Sequence, residues 1–296
     1  MNCAAPSLPD PDAPVSGSQR HWPASLQLQL GVRQGKTRLI RTLHEGPLRV
    51  QRPFYPEATD CCHVYLLHPP GGMVIGDRLS IEVAVAPGAS SLLTTPSAGK
   101  IYGAKGAAQE QSQRVQLSVA ADACLEWLPQ ETIVFDTANG RLETRVDLEP
   151  GARYAGWDIV RLGRAASGER FTRGQCLQSL EIWRGQQPLL IERNRIAAGG
   201  PLQANIWGLQ NRNTFATFVA TVSPDRELID ELAGRLDQLD TGAGDCWGIT
   251  QKEDLLVTRY LGDDVALCRA GFELVWRQIR EQFNGRPPVA PRIWNT

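Results

Sequence analysis

The sequence lacks long hydrophobic runs, a charge excess and any C-x-x-C pair, and each absence closes off a class of function. Its longest apolar stretches fall far short of the ~20 residues that a bilayer-spanning helix needs, so no membrane partner is indicated. A formal net charge of −1 gives no long-range field to gather nucleic acid, and no predicted helix carries a basic stripe. Residues 1–23 are rich in Pro, Ser and Asp and lack both the basic start and the apolar core of a secretory signal. They read as a disordered tail over 1–24, ahead of a single domain over 25–296. The seven cysteines, at 3, 61, 62, 124, 176, 246 and 268, are odd in number and scattered, which fits reduced thiols and a cytoplasmic location.

Histidine is equally scarce. All four histidines, His21, His44, His63 and His68, lie in the first quarter of the chain, and no G-x-S-x-G run is present, so nothing local marks a nucleophile with its base. The run Gly31 to Thr37 ends in Gly-Lys-Thr but is one residue short of a P-loop, and a β-hairpin rather than a helix is predicted to follow it. Cys61, Cys62 and His63, with His68 nearby, offer metal-ligand chemistry. Adjacent strand side chains point to opposite faces, however, so at most two of the three converge, and no second Cys/His cluster completes a tetrahedral set. Packed thiols are the simpler reading.

What is present is an ordinary globular composition, 42% apolar over 296 residues, enough to bury a core without disulfide or metal staples. Leu26, Leu28, Leu30 and Val32 alternate with polar neighbours, as on a strand with one buried face. A turn at Gly35-Lys36 returns the chain as a second strand over Thr37 to Glu45. A strand–turn–strand unit then recurs three times. Leu79 to Val85 breaks at Pro87-Gly88-Ala89, Gln113 to Val119 at Ala121-Asp122-Ala123, and Leu142 to Leu148 at Pro150-Gly151-Ala152. Stacked pairs of this kind bury a continuous core. Gln175 to Arg184 and Leu189 to Ile196 read as two more strands joined across Gly185 and Pro188, and Leu255 to Tyr260 as another. Helical spacing arrives late. One helix near 224–240 is capped by Ser223 with Pro224 at its first position. A second, near 263–284, starts at Asp263 or Asp264 and stops at Asn284-Gly285. The fold class predicted is mainly β, a two-layer stacked-strand, β-helix-like body with two C-terminal α-helices.

Four acidic residues interrupt apolar strands: Asp77, Glu131, Asp158 and Glu192. Buried carboxylates need partners. Each either pairs with a neighbouring arginine, such as Arg78, Arg161 or Arg193, or caps a turn; otherwise several line a polar channel whose hard oxygens hold a divalent ion weakly. Phe54-Tyr55, Tyr102, Trp127, Trp157, Trp183 and Trp207 are mostly core by type, and any left exposed would serve as interface anchors.

The same blocks carry a family resemblance. Gln51-Arg52-Pro53-Phe54-Tyr55-Pro56, Cys62-His63, Leu66-Leu67-His68-Pro69-Pro70-Gly71-Gly72, Gly76-Asp77, Thr94-Thr95-Pro96 with Lys100, Leu125 to Ile133, Gly156-Trp157-Asp158, Leu162-Gly163-Arg164, Pro188 to Arg193 and Pro291-Arg292-Ile293-Trp294 follow in an order that resembles the urease accessory protein UreD family. The resemblance covers residue 25 to the end. It departs at Ala165 (usually Pro), at Gly99 (commonly Ser or Thr) and at Thr137 (frequently Gly). It implies a non-catalytic scaffold that binds UreF, recruits the GTPase UreG, and docks on the urease apoprotein so that nickel reaches the active site, with a homodimer inside the accessory complex. GTP would then act only through the partner, and nickel only in transit, with no tightly bound cofactor. On that basis Asp77, Asp158 and Glu192 are the expected lining of a nickel passage, with Thr95, Lys100 and Glu131 shaping it. The competing reading is a β-helix-type hydrolase using two of these acids as general acid and base, which needs paired carboxyls within roughly 5 to 10 Å in an open cleft. A passive adaptor with purely structural acids is a third.

Overall fold

The N-terminal alternation becomes strand β1 (Trp22–Arg33), which buries Ala24, Leu26, Leu28 and Leu30 on one face. In this computed structural model the described residues are 22–57, 61–103, 109–239 and 244–295. The disordered-tail reading lies outside them through residue 21, and Trp22 to Ala24 already pair with the strand after Gly76. The chain turns at Gln34 and Gly35, with φ of 52° and 73°, the two left-handed residues of a tight hairpin. It returns as β2 (Lys36–Glu45). The Gly-Lys-Thr run is thus a hairpin turn, and Thr37 Oγ1 accepts from the Ser90 backbone N–H at 2.9 Å.

Next come β3 (Arg49–Val50), β4 (Cys62–Leu67), β5 (Asp77–Val85), β6 (Ser90–Thr94), β7 (Gly99–Ile101), β8 (Gln111–Val119), β9 (Cys124–Trp127), β10 (Thr132–Val134), β11 (Asn139–Leu148) and β12 (Arg153–Leu162). The threefold repeat is real. β5, β8 and β11 stack in parallel register in one sheet, while β6, β9 and β12 stack in the other. The three connecting turns share one geometry: a backbone bond closes each (Ala89 N to Ala86 O, Ala123 N to Ala120 O, Ala152 N to Glu149 O), and Gly88, Asp122 and Gly151 hold positive φ at the third position. Short parallel strands β7, β10 and the end of β12 close a third side of each coil.

The remaining elements are β13 (Gln175–Arg184), β14 (Gln187–Ala197), α1 (Pro201–Ala204), β15 (Thr214–Thr221), α2 (Arg226–Asp237), β16 (Cys246–Lys252), β17 (Leu255–Gly262) and α3 (Val265–Asn284). The first sheet runs β14-β13-β11-β8-β5-β1-β2; the ten-stranded second sheet has the main order β16-β17-β15-β12-β9-β6-β4-β3. One core fills the space between the sheets, and a second lies between the outer face of the larger sheet and the two long helices. Pro188 lies inside β14, beside the register shift at Ile182/Trp183, rather than in the turn. β15 and β16 were not anticipated. Asp225, not Ser223, caps α2, its Oδ1 accepting from Leu228 N at 2.8 Å, so Pro224 precedes the helix. α2 ends at Asp237, and the anticipated end near 240 lies outside the described residues. Asp264 caps α3, and Gly285 closes it in the left-handed conformation, as expected.

α3 is fixed to the sheet by a buried polar network. Trp276, Arg280 and Asn284 recur at four-residue spacing on one helix face. All three reach Glu126 on β9: Trp276 Nε1 at 2.6 Å, Arg280 Nη2 at 2.8 Å and Asn284 Nδ2 at 2.8 Å. Arg280 and Glu126 are both 0% exposed, and Arg280 also donates to Glu57 at 2.6 Å and to the Pro287 carbonyl.

Thr137 sits at φ 68°, where the resemblance leads one to expect glycine. A β-branched residue in the left-handed region is strained. Replacing Thr137 with Gly is expected to raise unfolding free energy by about 0.5–1 kcal/mol, the relieved strain exceeding the added chain entropy. Urea denaturation checks this, and an unchanged or lower midpoint would show that the threonine is accommodated without strain.

Candidate functional site

Parallel stacking aligns equivalent positions across strands, so one residue of each strand contributes to a row on the inner face of the smaller sheet. One such row runs Ala24, Leu79, Gln113, Leu142, Gln178, Asn194. Polar side chains on the core face of a sheet are costly unless paired or wet, and three of these six are polar. The row lies between two groups of the residues singled out from the sequence.

The first group surrounds β7. A cavity of about 420 Å³ between the sheets is lined by His68, Thr95, Lys100, Thr132 and Gln113, among apolar neighbours. Thr95 Oγ1 accepts from Gln130 N at 2.9 Å, tying successive coil corners together. Lys100 also borders a neighbouring cavity of about 720 Å³, which Glu131 lines. Asp77 caps the turn into β5, its Oδ2 accepting from Val74 N at 2.8 Å. It also faces His68, whose pKa burial lowers against the pull of the Asp77 charge.

The second group lies at the β13–β14 end. Asp158, on the inner face of β12, accepts from Gln178 Nε2 at 2.8 Å, and Asn194 in turn donates to Gln178 Oε1 at 2.8 Å. Glu192 accepts from Thr217 Oγ1 at 2.9 Å and from Arg259 Nη2 at 3.1 Å. Thr217 is the register partner of both Asp158 and Arg259, which is why the two carboxylates share one locality. Glu192, Asn194, Thr217 and Arg259 open onto a cleft of about 350 Å³. The arginine partners suggested by sequence proximity are not the ones used. Arg193 pairs with Glu181 across the β13–β14 hairpin, and Arg161 reaches Thr214 and the Asp263 carbonyl. Sequence neighbours on a strand point to opposite faces, so partners come from adjacent strands.

Burial pushes the Asp158 carboxyl up to about 6, assisted by the Glu192 charge and opposed by the Gln178 hydrogen bond. At mildly acidic pH it is therefore partly protonated. Gln113, Gln178 and Asn194 were not singled out from the sequence; their signal was an uncharged polar residue in the inward phase of an otherwise apolar strand. Glu57, Glu126 and Arg280 were likewise missed.

The class of protein defined here is a stacked-strand β body with an internal polar row and with helices packed on one outer face. The match to known proteins is direct. The model of the family described as UreD urease accessory protein matches residues 23–295. Proteins called urease accessory protein UreD are 53% identical in Saccharophagus degradans, over the whole of both chains, and 44% identical in Alkalilimnicola ehrlichii, over 96% of this chain and 94% of that one. The protein of that name from Klebsiella aerogenes is 40% identical over 94% of this chain and 98% of its own. The chain belongs to the UreD family.

The raised pKa of Asp158 has a stability consequence. Between pH 4 and 6 the native state holds a proton that the unfolded state has released, so stability falls as pH rises through that window and stays reduced above it. An Asp158→Asn chain escapes this loss. Its unfolding free energy relative to the native sequence should therefore rise by about 2–3 kcal/mol between pH 4 and pH 7. Parallel urea titrations at the two pH values measure the difference, and a pH-independent gap would place the proton elsewhere.

Proposed function

We propose that this chain is a urease maturation scaffold, without catalysis of its own, that works in the cytoplasm. It binds UreF, recruits through it the GTPase UreG, and docks on the urease apoprotein, while its interior gives nickel a passage. Membership of the UreD family supports the accessory role. The observation that carries the passage is the polar row. Gln113 lines the cavity beside His68, Thr95 and Lys100, while Gln178 and Asn194 contact the locality of Asp158 and Glu192, with only Leu142 between. Adjacent strands are ~4.8 Å apart, so Gln113 and Gln178 stand about 10 Å from each other. Asp77 acts at the near end through His68, and Glu192 at the far end through the cleft.

Such a lining suits a cargo ion. Carboxylates, amides and water hold nickel less tightly than thiolate or imidazole does, so the ion can leave as readily as it enters. The hydrolase reading draws support from two neighbouring carboxylates, one of them with a raised pKa, but the cleft is lined by Glu192 and not by Asp158. A substrate in that cleft would meet a single acid, already paired with Arg259. No helix among the described residues is long and apolar enough to cross a membrane.

Docking has its own candidate anchor. Ile206 and Trp207, on the segment after α1, are 83% and 68% exposed. Adjacent large apolar side chains left in water are characteristic of a partner-binding surface.

Blocking the proposed passage with Gln113→Leu in the row and Glu192→Leu at its far end is expected to cut nickel per urease active site at least fivefold, while UreF and apo-urease still co-purify with the variant. Full nickel content in an assembled complex would rule the passage out. For the docking anchor, Ile206→Ser with Trp207→Ser should reduce co-purification with UreF or apo-urease at least tenfold at an unchanged Tm. Retention of both partners would remove this surface from the interface.

A further inference from the structure

The stretch from Glu57 to His63 holds a constellation that the interior passage does not use. Glu57, Cys61 and His63 offer a carboxylate oxygen, a thiol sulfur and an imidazole nitrogen, all within 4.8 Å of one another. All three residues are buried, Cys61 and His63 at 0% exposure. The local pairing explains how they meet. Cys61 and His63 are two apart and point to the same side, into the helix-covered half of the larger sheet, while Cys62 turns into the core between the sheets. The expectation that at most two of Cys61, Cys62 and His63 converge holds, but Glu57, overlooked in the sequence, supplies the third donor.

Two observations point to a ligand at this group. The first is hydrogen bonding. His63 Nε2 lies 2.8 Å from Glu57 Oε1, yet its Nδ1 is buried with no hydrogen-bond partner among the described residues. Buried ring nitrogens are normally satisfied. The second is charge. Among the described residues, the hydrogen-bonded network of Glu57, Glu126 and Arg280 sets two carboxylates against one guanidinium. An uncompensated buried charge is costly. A proton on His63 would supply the charge but would add a second N–H donor at the unpartnered Nδ1. A divalent cation entering with ionisation of the Cys61 thiol adds two positive charges and one negative, which also brings the sum to zero. In that step the S–H bond breaks, its proton leaves to solvent, and a sulfur–metal bond forms with no change of oxidation state.

We propose that Glu57, Cys61 and His63 form a resident site for one borderline divalent cation of the zinc type, separate from the nickel passage. One thiolate, one imidazole and one carboxylate match the preference of such ions. The thiolate also makes this a holding site rather than a transfer site, in contrast to the hard-oxygen lining near Asp158. Its place beside Arg280 ties occupancy to the docking of α3 on the sheet.

The test uses the full chain in a Cys3→Ser, Cys246→Ser background, which removes the tail cysteine and the exposed one and leaves Cys61, Cys62, Cys124, Cys176 and Cys268, all buried. Protein expressed in zinc- or cobalt-supplemented medium should carry about one equivalent of metal by elemental analysis. The cobalt form should show a thiolate-to-metal charge-transfer band. Cys61→Ser should abolish the band and lower metal content at least tenfold, whereas Cys62→Ser and the passage variant Glu192→Leu should leave both unchanged. Metal below a tenth of an equivalent, or a band that survives Cys61→Ser, overturns the proposal. Should Cys61→Ser fail to fold, X-ray absorption of the zinc-loaded parent decides: one sulfur among nitrogen and oxygen ligands supports the site, and a sulfur-free shell refutes it.

Discussion

The architecture depends on the ion pair between Glu126 and Arg280. Both groups are fully enclosed, and a carboxylate moved alone into such surroundings would cost several kcal/mol. Its partners arrive only when α3 docks, because Trp276, Arg280 and Asn284 all belong to that helix. The sheet strand β9 therefore cannot reach its final state without the helix, nor the helix without the strand. Glu57 extends the same network to the segment before β4. Burial alone would raise its carboxyl, but hydrogen bonds from His63 and Arg280, together with the Arg280 charge, hold it down to about 2. Elements more than 200 residues apart in sequence are thereby bound into one cooperative unit.

This coupling explains how the molecule keeps a polar interior row without losing its core. The helix-covered half of the larger sheet is dense with Trp157, Phe218, Phe272 and Trp276. The other face of that sheet can then afford Asp158 opposite Gln178 and Thr217 beside Glu192. Each inward carboxylate has a described hydrogen-bond donor. What distinguishes Asp158 is that its donor is a neutral amide, so burial dominates and its carboxyl is pushed up, whereas the arginine-paired Glu181 moves down. Two carboxylates within one body thus differ in proton affinity because of the strand that faces them, not because of their own type.

Much of the fold was legible in the sequence because its signals were local. The three Pro-Gly-Ala or Ala-Asp-Ala breaks marked real turns, since a left-handed third residue selects glycine or aspartate wherever the turn recurs. Asp264 and Gly285 bracketed α3 for the same reason. β15 was missed because Thr214 to Ala220 is buried on both faces and shows no alternation, and β16 because an edge strand of mixed polarity carries little pattern. The candidate acids were visible as polar interruptions, but their partners were misjudged. Arg193 and Arg161 are sequence neighbours of Glu192 and Asp158, yet Arg259 and Gln178 are the residues they meet.

By itself the sequence determined the family, the strand and turn rhythm, and the presence of carboxylates where apolar residues were due. These depend on residue types at short spacing, and steric and hydrophobic preferences act at that range. Only the tertiary structure decided which groups meet. It brought Glu192 to Arg259 from one sheet to the other, aligned Gln113 with Gln178 through parallel register, and gathered Glu57, Cys61 and His63 beneath a helix some 200 residues further on. Pairing energies depend on distance and enclosure, and neither exists until the sheets have stacked and α3 has closed over them.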